Sequence, residues 1–436
     1  MSVTAIGVAA LAALFLLVAL HVPLAFAMIA VGITAFALQT DWGPALTFLA
    51  TDPSQILASM DLAAIPMFLM MGTFVSLAGF SKDLYSLAAC VLGHRPGGLA
   101  YATIGGSAAF GAICGSSPAT VATFTRIALP EMLQRKYQSG FSGATIVAGG
   151  ALKALIPPSL SMILYCVVAR TYIFDVFIAA VIPAVLTIVA NAAAIAIVVR
   201  RRPEIAPVAQ RATREEQRAA LRNALPAILL LAVVFSGLYS GIFTVNEAAS
   251  VAAVVSFGFA LWRRALTWDN LRASAVATAS IVGMIYFVLI GSSVFTYFVN
   301  LARIPELLIH SVNALHVPGP LLIIAMLAVY LALGVVFDEL AAIVVTLPFA
   351  LPIVVSLGYD PIWWGIVNVI IVELGLIHPP GIVVLILQSM RPDIPFKELY
   401  WKIVPFLLAD LAVLLLLVAF PALATWLPAF LRTLTS

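Results

Sequence analysis

The chain has 436 residues, of which 63% are hydrophobic and only 9% charged, with a mean hydropathy of +1.14. That balance excludes a soluble domain and defines an integral membrane protein, because apolar runs of about 17–25 residues fill nearly its whole length. The net charge of +3 marks no nucleic-acid partner, since the basic residues are gathered into a few loops as topology signals.

In chain order, apolar spans fall at about 4–20, 23–40, 62–80, 141–169 and 175–199, then at about 225–240, 246–262, 273–301, 361–390 and 403–430. The first is a crossing and not a signal peptide, because no basic segment precedes it and apolar sequence simply continues. These predict ten crossings in an all-α protein surrounded by lipid. Between the third and fourth span of each half lies a further apolar segment, 97–133 and 319–355. The first is interrupted at Gly115-Ser116-Ser117-Pro118, the second from Gly334 to Asp338-Glu339. Both read as re-entrant helical hairpins, and such irregular backbone at membrane depth requires protein or a water-filled cavity around it. Shorter amphipathic stretches near 51–60, 82–93 and 265–272 are candidates to lie along the interface.

A proline-glycine pattern recurs at a fixed offset of 222: Pro96-Gly97, Pro130, Gly143 and Pro157-Pro158 return as Pro318-Gly319, Pro352, Gly365 and Pro379-Pro380. The chain therefore divides into a first repeat at 1–202, a charged cytoplasmic linker at 203–224 and a second repeat at 225–436. Each repeat holds one hairpin and one helix broken by two prolines, at 141–169 and 361–390. With the N-terminus outside, all but five of the 22 Lys and Arg residues fall on the cytoplasmic side. The exceptions are Arg170, Arg303 and Arg432 outside and Arg126 and Lys153 within membrane segments. Five crossings per half make the repeats inverted and leave both termini outside, which for a bacterial inner-membrane protein is the periplasmic side.

The sites should lie at the breaks. At the first tip, Gly115, Ser116, Ser117 and Thr120 offer carbonyl and hydroxyl oxygens to a small cation, and helix N-termini offer a seat to a carboxylate; close packing is the structural alternative. The pairs Pro157-Pro158 and Pro379-Pro380 each remove two amide donors, so carbonyls around Ile156, Pro157, Gly375, His378 and Pro379 become candidate cation ligands. Of the intramembrane carboxylates Asp338, Glu339, Glu373 and Asp410, Asp338 is preferred for the cation, because it is the repeat partner of Ser116; a carboxylate that accepts backbone amides at the hairpin turn is the structural alternative. Ser116, Thr120 and Ser159 are candidate substrate contacts, as are the cationic Lys153 and Arg126. Lys153, whose repeat partner is Gly375, needs a partner at this depth. Its ammonium takes the place of a small cation beside the tip, pairs with a substrate carboxylate, or reaches the interface.

Other chemistries have little support. Cys90, Cys114 and Cys166 are too scattered for a disulfide framework, the five histidines have no transition-metal spacing, and no phosphate loop occurs. Gly140-Phe141-Ser142-Gly143 matches a short pattern of intramembrane serine proteases, the one enzyme reading available, but Gly143 already has its counterpart at Gly365. The residues predict a transporter, not an enzyme, with no organic cofactor.

The segments GSSPAT and LIPPS, then LGVVFDELA, LPFALP, GYDPIWWGIVNV and ELGLIHPPG, resemble the large membrane subunit of TRAP (tripartite ATP-independent periplasmic) transporters, and the resemblance runs over essentially the whole chain. It implies an elevator-type secondary transporter of the bacterial inner membrane, driven by sodium and fed by a periplasmic substrate-binding protein, usually with a small anionic carboxylate. It also implies a separate small membrane subunit. A stand-alone carboxylate symporter of related architecture is the alternative within transport. Lys153 departs from the family pattern, which has glycine there.

Overall fold

The computed structural model describes residues 3–314 and 316–435, and every regular element among them is helical. Among the described residues, nine stretches are long and apolar enough to cross a membrane. Eight of them are predicted spans, and the ninth is the hairpin arm Glu339–Ser356. The other two predicted spans are the shorter apolar helices at the N-terminus, Val3–Ala19 and Leu24–Gln39.

Both hairpins form, and their boundaries follow local chemistry. The first arm, Gly98–Cys114, closes on Gly115 at a φ of +69°, a left-handed conformation that favours glycine. Ser116 then takes an extended conformation and caps the returning arm Ser117–Gln134, with Pro118 at the start where no amide donor is needed. The second hairpin runs Gly319–Val336 and Glu339–Ser356, turning through an extended Phe337 with Asp338 as the cap. The returning arms of the two hairpins match residue for residue at the offset of 222.

The broken helices match as well. The first runs Ser139–Ala151, tightens to a 3-10 turn at Leu152–Leu155, passes through extended Ile156 and resumes at Leu160–Ala169. The second runs Pro361–Ile377 and resumes at Ile382–Met390. The peptide bond between the paired prolines is cis in both. Contacts between the halves are reciprocal. A side chain at Gly143 would press on Leu387, and one at Gly365 would press on Tyr165, which is the repeat partner of Leu387.

The helices sort into two packed groups. Hairpins and broken helices pack on one another and on Val181–Arg201 and Phe396–Ala419, which meet through Asn191 Nδ2 donating to Asp410 Oδ1 at 2.6 Å. The other group pairs Leu24–Gln39 with the long helix Trp268–Leu301, and Ala64–Leu77 with Val245–Trp262. Phe80–Leu92 and Ile304–Ala314, repeat partners of one another, lie between the groups: the first contacts the first hairpin and Arg214–Tyr239, the second contacts the second hairpin and Trp268–Leu301.

Several predicted boundaries move. The charged linker ends inside a helix: after an irregular stretch it enters Arg214–Tyr239 through a capping box in which Thr213 and Glu216 satisfy each other's amides. The stretch at 51–60 largely completes a helix, Trp42–Leu57, and that at 265–272 leads into the long helix beginning at Trp268. The last span starts at Phe396 and ends at Ala419, and a separate helix, Ala422–Thr435, follows Pro421.

Candidate functional site

The two tips and two breaks converge on a buried charge cluster. Lys153 sits in the 3-10 turn of the first broken helix and is 1% exposed, so it does not reach the interface. Its Nζ donates to Glu339 Oε1 and Oε2 at 2.6 and 2.8 Å and lies 3.2 Å from Glu373 Oε1. Ser161, after the break, accepts at 3.4 Å. From the first tip, Ser117 Oγ donates to the Glu373 carboxylate at 2.9–3.0 Å. Glu339 opens the returning arm of the second hairpin, and Glu373 stands near the end of the helix before the second break. One cluster thus joins both hairpins and both broken helices. Both carboxylates are buried, 8% and 4% exposed, and an ion pair this deep is tolerated only with its hydrogen bonds made.

Room for the lysine stem comes from the opposing hairpin arm: a Cβ on Gly111 would lie 2.5 Å from Lys153 Cβ. At the equivalent place in the second half there is no side chain to house. A Cβ on Gly375 would lie 2.6 Å from Gly334 Cα, so hairpin arm and broken helix touch backbone to backbone.

The other predicted residues are distributed unevenly. Gly115 and Ser117 are buried at the first tip, with Ser116 beside them half-buried. Thr120 is buried, but its hydroxyl donates to the Ser116 carbonyl at 2.8 Å, and the Ser159 hydroxyl caps the resumed helix by accepting from Met162 N at 3.5 Å. Ile156 and Pro157 line the first break. Asp338 is exposed and accepts the Ala341 amide at 2.9 Å, so the carboxylates brought to the lysine are its neighbour Glu339 and Glu373 instead. Around the second break, Gly375 and Pro379 are buried, and half-buried His378 has a buried Nδ1 with no hydrogen-bond partner among the described residues. Arg126 is exposed on its hairpin arm and stands outside this cluster. The pairing could have been found by elimination: a buried lysine needs a carboxylate, and only four lie at membrane depth.

A cavity of about 800 Å³ opens between the two helix groups, away from the charge cluster. Ser59, Asp61, Arg170, Tyr172, Thr244 and Asn246 line it, all from one set of interhelical loops and helix ends. Ser142 belongs to no nucleophilic arrangement: buried inside its helix, it donates to the Gln138 carbonyl at 2.9 Å.

Two helix groups that meet through the hairpins, with both broken helices held inside one of them, have the architecture of a membrane transporter. The profile of the family described as "Tripartite ATP-independent periplasmic transporter, DctM component" matches residues 11–423, and the chain belongs to that family. It is therefore a TRAP large permease, a multi-pass inner-membrane protein of secondary solute transport and not an enzyme. The C4-dicarboxylate TRAP transporter large permease protein DctM of Pseudomonas aeruginosa is 32% identical over 84% of this chain and 86% of its own length. The isethionate TRAP transporter permease protein DctMQ of Oleidesulfovibrio alaskensis is 31% identical over 94% of this chain but only 64% of its own length. The fold is also that of the YdaH transporter of Alcanivorax borkumensis, with a TM-score of 0.57 at 15% identity over 88% of this chain and 89% of that one.

Proposed function

We propose that this permease carries out sodium-coupled uptake of a small organic anion by an elevator mechanism, receiving it from a periplasmic binding protein and working with a small membrane subunit. The observation that carries the reading is the division of the helices into two packed groups, one of which contains every hairpin and every break. That group is the moving body, and the other is the scaffold. The repeats are inverted in the membrane, with both termini periplasmic and the linker cytoplasmic, as the basic residues favour.

Sodium fits the second unit. Pro379 and Pro380 offer no amide to the carbonyls of Gly375 and Leu376, Gly375 adds no side chain, and Asp338 supplies a carboxylate at the tip. These residues would hold the ion, which supplies the electrochemical gradient as the driving force. The two relatives named above are named for anions, a C4-dicarboxylate and isethionate, and this supports a solute of that class.

Uptake into proteoliposomes holding both membrane subunits tests the reading, with the binding protein added outside. Transport is expected only with an inward sodium gradient and the loaded binding protein. Equal uptake with potassium replacing sodium would sink the coupling, and uptake of free solute would return the protein to the stand-alone symporters.

A further inference from the structure

The surroundings of Lys153 form a cation cage that is already filled. Two oxygens of Glu339, one of Glu373 and the Ser161 hydroxyl lie 2.6–3.4 Å from its nitrogen, and Ser117 orients the Glu373 carboxylate from the other side. The ammonium nitrogen already stands within reach of all these oxygens, so a sodium ion cannot take that position while Lys153 holds it. The second unit differs at the equivalent position, where Gly375 carries neither a charge nor a side chain.

We infer that Lys153 is the resident cation of the first hairpin and break: it supplies on a tether the positive charge that the second unit takes from solution. The tethered charge crosses with the moving body and returns with it, so it carries no gradient energy. A free cation is exchanged only at the second unit, and one fewer ion is coupled per cycle than in a chain with glycine at both positions. The inference rests on the proposed cation coupling for its second half only. The cage itself stands on the geometry.

Removing the tether should turn the cage into a site for a free cation. The purified full-length protein and its K153A variant are unfolded thermally during titration with sodium chloride or ethylammonium chloride, using choline chloride to hold ionic strength constant. K153A is expected to be stabilised by ethylammonium where the wild type is not, and its sodium dependence should steepen by about one ion, as linkage requires for one added site. Identical responses in the two proteins would overturn the inference. The variant K153A/E339Q removes one charge of each sign and guards against a fold lost to unpaired carboxylates. It should keep the ethylammonium response through Glu373. If neither variant assembles even when ethylammonium is present throughout purification, the cage accepts no free cation and the inference is wrong. Sodium-independent uptake by the wild type would remove the coupling reading alone, because the ethylammonium response of K153A does not depend on it.

Discussion

At position 153 the first unit places a lysine against the hairpin, and at position 375 the second places a glycine there. The backbones around them share boundaries to the residue in the returning arms, yet the contacts made are of different kinds. In the first unit Gly111 recedes to admit a charged side chain, whereas in the second Gly334 and Gly375 recede to admit each other. The first contact depends on charge balance and the second on shape alone. A duplicated fold can thus differ in kind at matching positions without moving its helices: one copy fixes a charge in place and the other closes the same position with a backbone contact.

The comparison breaks most completely if the two units do not face opposite sides of the membrane. Single cysteines introduced near Gly98 and near Pro320 should be labelled from opposite faces by an impermeant thiol reagent. Labelling of both from the cytoplasm would end the inverted arrangement.

A smaller effect should separate the two packing modes. Gly375→Ala drives a methyl group into the Gly334 backbone, which cannot rotate away, and overpacking of this kind costs about 1–3 kcal/mol. Its loss of thermal stability should not respond to ethylammonium, unlike that expected of K153A. A G375A protein as stable as wild type would mean that the second contact is looser than the structure has it.

The smallest difference lies at the caps. Asp338 accepts its amide at 2.9 Å and Ser116 at 3.4 Å, so Asp338→Ala should cost about 1 kcal/mol and Ser116→Ala less. Unfolding midpoints of the two variants measure this directly, and the reverse order would remove the capping role from Asp338.

Much of this architecture is legible in the residues because prolines act locally. Pro157-Pro158 and Pro379-Pro380 cannot donate amides wherever they are placed, so the breaks follow from composition alone. The choice of carboxylate does not. Asp338 and Glu339 are neighbours, and only the emergence of the returning arm decides that Glu339 turns to Lys153 while Asp338 remains exposed at the tip. Arg126 lies in an apolar hairpin arm, on the exposed face of that arm, a placement the sequence does not show. The new start of the final span depends on a tertiary choice too, because Glu398, near the start of Phe396–Ala419, accepts the Gly140 amide of the other half at 3.0 Å.

The long helix Trp268–Leu301 has 34 residues, a rise of about 51 Å at 1.5 Å per residue. The hydrocarbon core is about 30 Å thick, so roughly 20 Å of this rod must be taken up by tilt or stand clear of the lipid. Its repeat counterpart avoids the excess by folding into two pieces, Trp42–Leu57 and Ala64–Leu77. One helix is therefore a single stiff girder and its counterpart a jointed one, with Ile304–Ala314 attached just beyond the girder's end and Phe80–Leu92 just beyond the second piece. The jointed side can bend between its two pieces, where the 34-residue helix has no break.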